Sequence, residues 1–263
     1  MIKQEFFLDT SNLDEIKRWK GIIRGVTTNQ MIMYKEGVRD IDKQIKKICK
    51  LVPEYPVSVE LMDSLASTKE LIKEATRLSS LGDNVVVKVP ITDAYIEEPF
   101  NPVESSTKMI ELVNELVTRN IPVNVTAMIT DMQMKMAVAA TQASKKNCFV
   151  SLFWARNIDD QSNRENQHKE ESILGQSWVN KNPGEIVKSV RQFIGDSPQP
   201  RIIIGSIRTV SQVEEASVAG ADIVTVTPKV FRAGLYNRTT LKTVREFDEA
   251  GQGILMYSVH EKK

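Results

Sequence analysis

A single lysine stands inside an apolar run, Asn84-Val-Val-Val-Lys-Val-Pro90. A short β-branched stretch closed by a proline predicts a buried parallel strand, with side chains alternating between its two faces. If Val87 and Val89 face outer helices, Val86 and Lys88 face inward. Loss of water favours the uncharged amine, and a neutral amine attacks carbonyl carbons, which is the chemistry of Schiff-base lysines. The same stretch also fits a lysine that reaches out of a barrel mouth or pairs with a carboxylate.

Other polar residues fall at or beyond the ends of predicted strands: Asp9, Thr28 and Asn29, Glu60, Asn124 and Thr126, Ser151 and Phe153, Arg156, Ser206 and Arg208. Gathered around Lys88 they supply two carboxylates, hydroxyl and amide donors, and two guanidiniums, a density of polar groups that argues for a site. Singly they have plainer readings: Asp9 as a helix cap, Glu60 as the partner of any basic neighbour, the arginines as loop surface. Arg156, Ser206 and Arg208 form a second group on adjacent strand ends. Guanidiniums with a hydroxyl suit a phosphate, and Gly205 lets backbone N–H groups approach an anion. An anion site beside a carbonyl-seeking lysine describes an enzyme acting on sugar phosphates.

The elements that must position these residues follow a regular order. Strands are predicted at Glu5 to Asp9, Ile22 to Asn29, Pro56 to Leu61, Asn84 to Pro90, Ile121 to Thr126, Cys148 to Phe153, Arg201 to Ile204 and Ala221 to Val226. Helices are predicted after a cap at Ser11 or Asn12, then over Asp40 to Leu51, Ser67 to Ser80, Glu104 to Arg119, Asp131 to Ala143 and Ser211 to Ala219, with a last one near Thr239 to Asp248. The Met132, Met134, Met136 stripe reads as packing. Alternation of this kind points to an α/β fold, a (β/α)8 TIM barrel in one domain over residues 1–263, with a C-terminal helical extension. Two connections, Thr92 to Ser105 and the polar Asn157 to Asn182 with Trp178, are long enough to be lids or surface insertions.

Composition narrows the class of partner. A net charge of +1, from 35 basic and 34 acidic residues, gives no field that would recruit nucleic acid or a membrane. Cys49 and Cys148 are far apart and the only histidines are His168 and His260, so no metal-ligand spacing is formed. The expectation is a reduced, cytoplasmic protein, with charged Lys3 and Glu5 breaking any signal-peptide pattern and no apolar run of membrane-spanning length.

Six segments carry a resemblance: Phe7-Leu-Asp-Thr-Ser11, Gly25-Val-Thr-Thr-Asn29, Val86-Val-Lys-Val-Pro90, Asn124-Val-Thr126, Ser151-Leu-Phe153 with Arg156, and Ser206-Ile-Arg208. In this order they resemble the transaldolase family, which includes small transaldolases and fructose-6-phosphate aldolases. The resemblance implies a class I mechanism in carbohydrate metabolism (the pentose phosphate pathway), with Lys88 as the Schiff-base lysine and Asp9 as the proton-transfer group for C3–C4 cleavage. Glu60 and Thr126 would hold a catalytic water. Asn29, with Thr28 beside it, Asn124 and Ser151 would bind dihydroxyacetone hydroxyls, and Arg156, Ser206 and Arg208 the phosphate. Glu60 and Phe153 stand where the family's aldolases carry Gln and Tyr, which favours transfer over simple cleavage. The alternatives are a dihydroxyacetone-releasing aldolase, a transaldolase for sulfonated sugars, and a non-catalytic sugar-phosphate-binding barrel. No cofactor or metal is implied; a homo-oligomer is, through Leu235 to Leu255, unless that segment closes its own barrel. Thr-Thr-Asn-Gln replaces the usual Thr-Thr-Asn-Pro, so the turn after the second strand is expected to lose a rigid φ.

Overall fold

A computed structural model describes residues 4–64, 66–91, 108–167 and 181–260. Eight parallel strands close a barrel in sequence order: β1 (Glu5–Asp9), β2 (Ile23–Thr27), β3 (Val57–Glu60), β4 (Val85–Pro90), β5 (Val123–Met128), β6 (Phe149–Phe153), β7 (Arg201–Gly205) and β8 (Ile223–Val226). β8 pairs back onto β1, which leaves no strand edge open. Helices occupy the outside: α1 (Leu13–Trp19), α2 (Gln30–Lys35), α3 (Ile41–Leu51), α4 (Thr68–Ser79), α5 (Lys108–Thr118), α6 (Asp131–Thr141), α7 (Trp154–Gln167), α8 (Pro183–Ile194), α9 (Val210–Ala219), α10 (Pro228–Leu235) and α11 (Arg238–His260). Side-chain oxygens start several of them, as Asn12 does for α1, Asp40 for α3, and Ser67 with Glu70 in a capping box for α4.

Strand alternation sorts the residues into two cores. Val57, Val59, Val85, Val87, Val89, Val123 and Val125 join the layer beneath the helices. Inside the barrel, Phe7, Val86, Phe149, Ile203 and Ile223 form a separate apolar plug. The Phe7 and Phe149 rings meet edge to face at 5.9 Å. This plug explains Gly25, because a Cβ there would lie 2.5 Å from the Phe7 ring. Above the plug, toward the strand C-termini, the inward positions turn polar.

Several expectations are corrected. Residues 157–167, expected as a loop, continue α7, and α8 follows at Pro183–Ile194, a helix the sequence reading did not assign. Arg156 is therefore on the first turn of a helix. Met134 is buried, but Met132 and Met136 are exposed, because positions two apart on a helix face different ways. Asn29 caps α2, and Gln30 takes the first helical position, where proline is otherwise favoured. The Gln30 side-chain amide donates to the Leu61 carbonyl, so a bond to the end of β3 ties this turn in place of a fixed φ. The connection at 92–107, Trp178 and His168 lie outside the described residues. No described helix is long and apolar enough to cross a membrane.

Candidate active site

Lys88 is inward on β4 and only 4% exposed. The register of β3 and β4 sets Glu60 directly opposite Lys88, and both side chains face the barrel axis. The Lys88 Nζ lies 2.8 Å from Glu60 Oε2 and donates to the Thr28 carbonyl at 3.0 Å. Of the readings open to this strand, the structure has the lysine paired with a carboxylate rather than standing as an isolated amine. It is one half of a nearly buried ion pair, and its carboxylate partner is another candidate residue of the same mouth.

Asp9, at the end of β1, is not the cap of α1; Asn12 is, accepting from the N–H groups of Asp14 and Glu15. Its Oδ1 accepts from the Thr27 hydroxyl at 2.6 Å, and Thr27 is in turn 2.5 Å from the Thr225 hydroxyl. Burial raises the Asp9 carboxyl above the usual carboxylate value of 3.8. The Lys88 ammonium and the Thr27 hydroxyl oppose that shift, while the charges of Glu60 and Glu36 add to it.

Asn124 and Ser151 are brought together, with the Ser151 hydroxyl donating to Asn124 Oδ1 at 2.6 Å. Asn124 Nδ2 continues the row to Ser58 Oγ on β3 at 3.2 Å. Thr126 is fully buried, and its Oγ1 has no hydrogen-bond partner among the described residues. Immediately after it, Ala127 has φ 62° and the β5–β6 register shifts, a bulge at the barrel rim. Thr28 and Asn29 are already engaged: the Thr28 hydroxyl donates to the Ser58 carbonyl at 3.0 Å, and Asn29 Oδ1 accepts from the Ile32 N–H at 2.9 Å.

The second group gathers at the ends of β6 and β7, where the Ala155 N–H bonds the Ser206 carbonyl at 3.2 Å. Ser206 holds φ 57°, an uncommon value for a residue with a side chain. Gly205 has a packing reason as well, since a Cβ would press on the Phe153 ring at 3.3 Å. Arg208 is not a free guanidinium: Asp159 on α7 takes both Nη1 and Nη2, at 2.8 and 2.5 Å. That fork holds the Asp159 carboxyl below its usual range, with the Arg156 charge contributing, and raises the Arg208 guanidinium. The fork engages Nη1 and Nη2 and not Nε.

Ser58, Thr27, Thr225, Glu36 and Asp159 were not singled out by the sequence reading. Only Asp159 carried a local signal, standing three residues after Arg156, a spacing that places acid and base on one helical face. Among the described residues, no group of three or more His, Cys, Asp or Glu is placed to hold a metal ion.

Residues 6–260 match the model of the family described as transaldolase/fructose-6-phosphate aldolase. A "Probable transaldolase" of Clostridium tetani (strain Massachusetts / E88) is 32% identical over 93% of this chain and 96% of its own length. Another from Caldicellulosiruptor saccharolyticus is 33% identical, covering 86% of this chain and 87% of the relative. A solved structure described as a "putative lyase/mutase", from Burkholderia cenocepacia J2315, superposes with a TM-score of 0.54 over 95% of this chain and 85% of that one. Its identity is 11%, so that likeness concerns the barrel alone.

Proposed function

Because the chain belongs to the transaldolase/fructose-6-phosphate aldolase family, we propose that it is a transaldolase that moves a dihydroxyacetone unit from a ketose phosphate to an aldose through a Schiff base on Lys88. The observation that carries this reading is the pair of Lys88 Nζ and Glu60 Oε2 at 2.8 Å inside the barrel mouth. A lysine must shed a proton before it can attack, and Glu60 is placed to receive it.

The amine then adds to the C2 carbonyl of a ketose such as fructose 6-phosphate. The carbinolamine loses its hydroxyl as water, with Glu60 and the Thr126 hydroxyl relaying protons through a bound water. Asp9 takes the C4 hydroxyl proton; its raised affinity for protons suits a base that must later return one. The C3–C4 bond breaks, its electron pair passes into the iminium, and the aldose phosphate leaves. The three-carbon enamine stays until a second aldose accepts it, with hydroxyl contacts from Asn29, Asn124 and Ser151. Arg156, Ser206 and Arg208 hold the phosphate. Phe153 offers no phenolic proton to quench the enamine, which favours transfer over release. The reaction uses no cofactor, takes place in the cytoplasm, and is carried out by a homo-oligomer.

Free dihydroxyacetone measured with fructose 6-phosphate, with and without erythrose 4-phosphate, tests the transfer. Turnover of the donor should depend on the acceptor, with little dihydroxyacetone released. Fast release without acceptor would make the protein an aldolase; sulfonated aldoses as the only effective acceptors would replace the phosphate part of the reading.

A further inference from the structure

We infer that Glu36 is a positioning residue for Asp9, and that the short helix α2 sets the spacing of the proposed catalytic groups. This inference rests on the Lys88–Asp9 reading above. Glu36 follows the last turn of α2 and sends its carboxylate back across the barrel rim. Oε1 accepts from the Thr10 hydroxyl at 2.5 Å; Oε2 accepts from the Ser11 N–H at 2.7 Å and from the Ser11 hydroxyl at 2.5 Å. Thr10 and Ser11 are the two residues after Asp9, and both are fully buried. Two further bonds close this turn: the Thr10 N–H to the Thr27 carbonyl at 3.1 Å, and the Gln44 side-chain amide to the Ser11 carbonyl at 2.6 Å.

The same segment reaches the other groups. Thr28 offers its carbonyl to Lys88, and Asn29 caps the first turn of α2. Gln30 bonds the carbonyl of Leu61, the residue after Glu60. One stretch, residues 28–36, thereby touches Lys88 directly and is bonded within two residues after each carboxylate. A polar carboxylate with three acceptor bonds at a turn adjoining Asp9 fixes where the base sits relative to the lysine, and misplacement by about 1 Å costs roughly 10²-fold in rate. Asp9 feels charges from three elements: Lys88 on β4, Glu60 on β3 and Glu36 at the end of α2. Glu36 therefore acts on Asp9 by geometry and by charge.

The test is Glu36→Gln in the full chain. The amide keeps the volume and can still accept from Ser11 through its oxygen while donating to the Thr10 hydroxyl oxygen, so it removes the charge alone; Glu36→Leu, measured beside it, removes the charge and all three bonds. Three readouts are taken: kcat and KM for fructose 6-phosphate with erythrose 4-phosphate, the pH dependence of kcat, and the adduct reduced by borohydride in the presence of fructose 6-phosphate. In Glu36→Leu the expected result is a fall in kcat of about tenfold or more with KM little changed and the adduct still formed on Lys88. The acidic limb of the kcat profile should move to lower pH, because a negative neighbour of Asp9 has gone. A merely structural role would lower thermal stability and leave that limb in place. Wild-type kcat with an unmoved limb would overturn the inference, as would loss of the adduct together with turnover in a folded variant. If Glu36→Leu does not fold, Ser11→Ala removes one of the three bonds and is read in the same way; a wild-type kcat there overturns the proposal. No adduct in the unmutated protein would instead overturn the Schiff-base reading on which this one stands.

Discussion

Asp9 sits in a position where burial opposes its charge. Its value in the folded protein is raised, so the folded state binds the proton more tightly than the unfolded chain does. Stability then falls as pH rises from the unfolded value of 3.8 through the folded one, and stays reduced above it. Asp9→Asn keeps an oxygen for the Thr27 hydroxyl and removes the charge. The variant should melt at a higher temperature than the parent at pH 7, should lose this advantage below the unfolded carboxylate value, and should lose turnover. Melting curves at neutral and acidic pH decide it: a lower melting temperature at pH 7 would mean that the Lys88 attraction outweighs burial. Lys88, Asp9 and Glu60 were legible because charged residues in strands of valine and phenylalanine stand out. That Lys88 pairs with a carboxylate was one open reading; that the partner is Glu60 was not legible, because it follows from strand register, which one sequence does not display. Glu36 and Ser58 escaped for the same reason: their partners, Ser11 and Asn124, lie 25 and 66 residues away.

The strands were legible as elements because each is a short run of β-branched or aromatic residues bounded by turn residues, and so were most helices with periodic apolar faces; α8 was missed although Asn182 caps it and Ile186, Val187, Val190 and Ile194 form a buried face. Ser67 and Asp40 stand at the starts where their side chains predict them. α7 lacks such a face: beyond Trp154, Ala155 and Ile158 it is polar throughout, so periodicity gave no reason to extend it to Gln167. α2 is six residues long, too short for periodicity to register, yet it joins the turns after β1 and β3. The replacement of a proline by Gln30 looked like a loss of rigidity from sequence; the cross-strand bond to Leu61 gives the turn another constraint. The Asp159–Arg208 fork depends on α7 being a helix, and was hidden with it.

At the scale of the molecule, the closed barrel places an apolar plug at one level and the polar set above it, and this division follows directly from strand alternation. The C-terminal helix does not share in it. α11 is largely exposed along its described side chains, including Leu241, Val244, Phe247 and Ile254, so it does not close its own barrel as one reading of the sequence allowed. An apolar face of this kind in water is expected to be covered by other copies of the chain. Replacing Leu241, Val244 and Phe247 by glutamate should shift the mass in solution from an oligomer to the monomer while the circular dichroism of the barrel persists. A wild-type chain that sediments as a monomer at micromolar concentration would remove the idea.

The account as a whole depends on a covalent bond between Lys88 and a ketose. Incubation with fructose 6-phosphate and borohydride, followed by peptide mass spectrometry, measures that bond. The expected outcome is a reduced dihydroxyacetone adduct on the peptide containing Lys88, absent from Lys88→Met and diminished when erythrose 4-phosphate is added to carry the unit away. An unmodified Lys88 in a protein that turns over fructose 6-phosphate, or an adduct on another lysine, would contradict it.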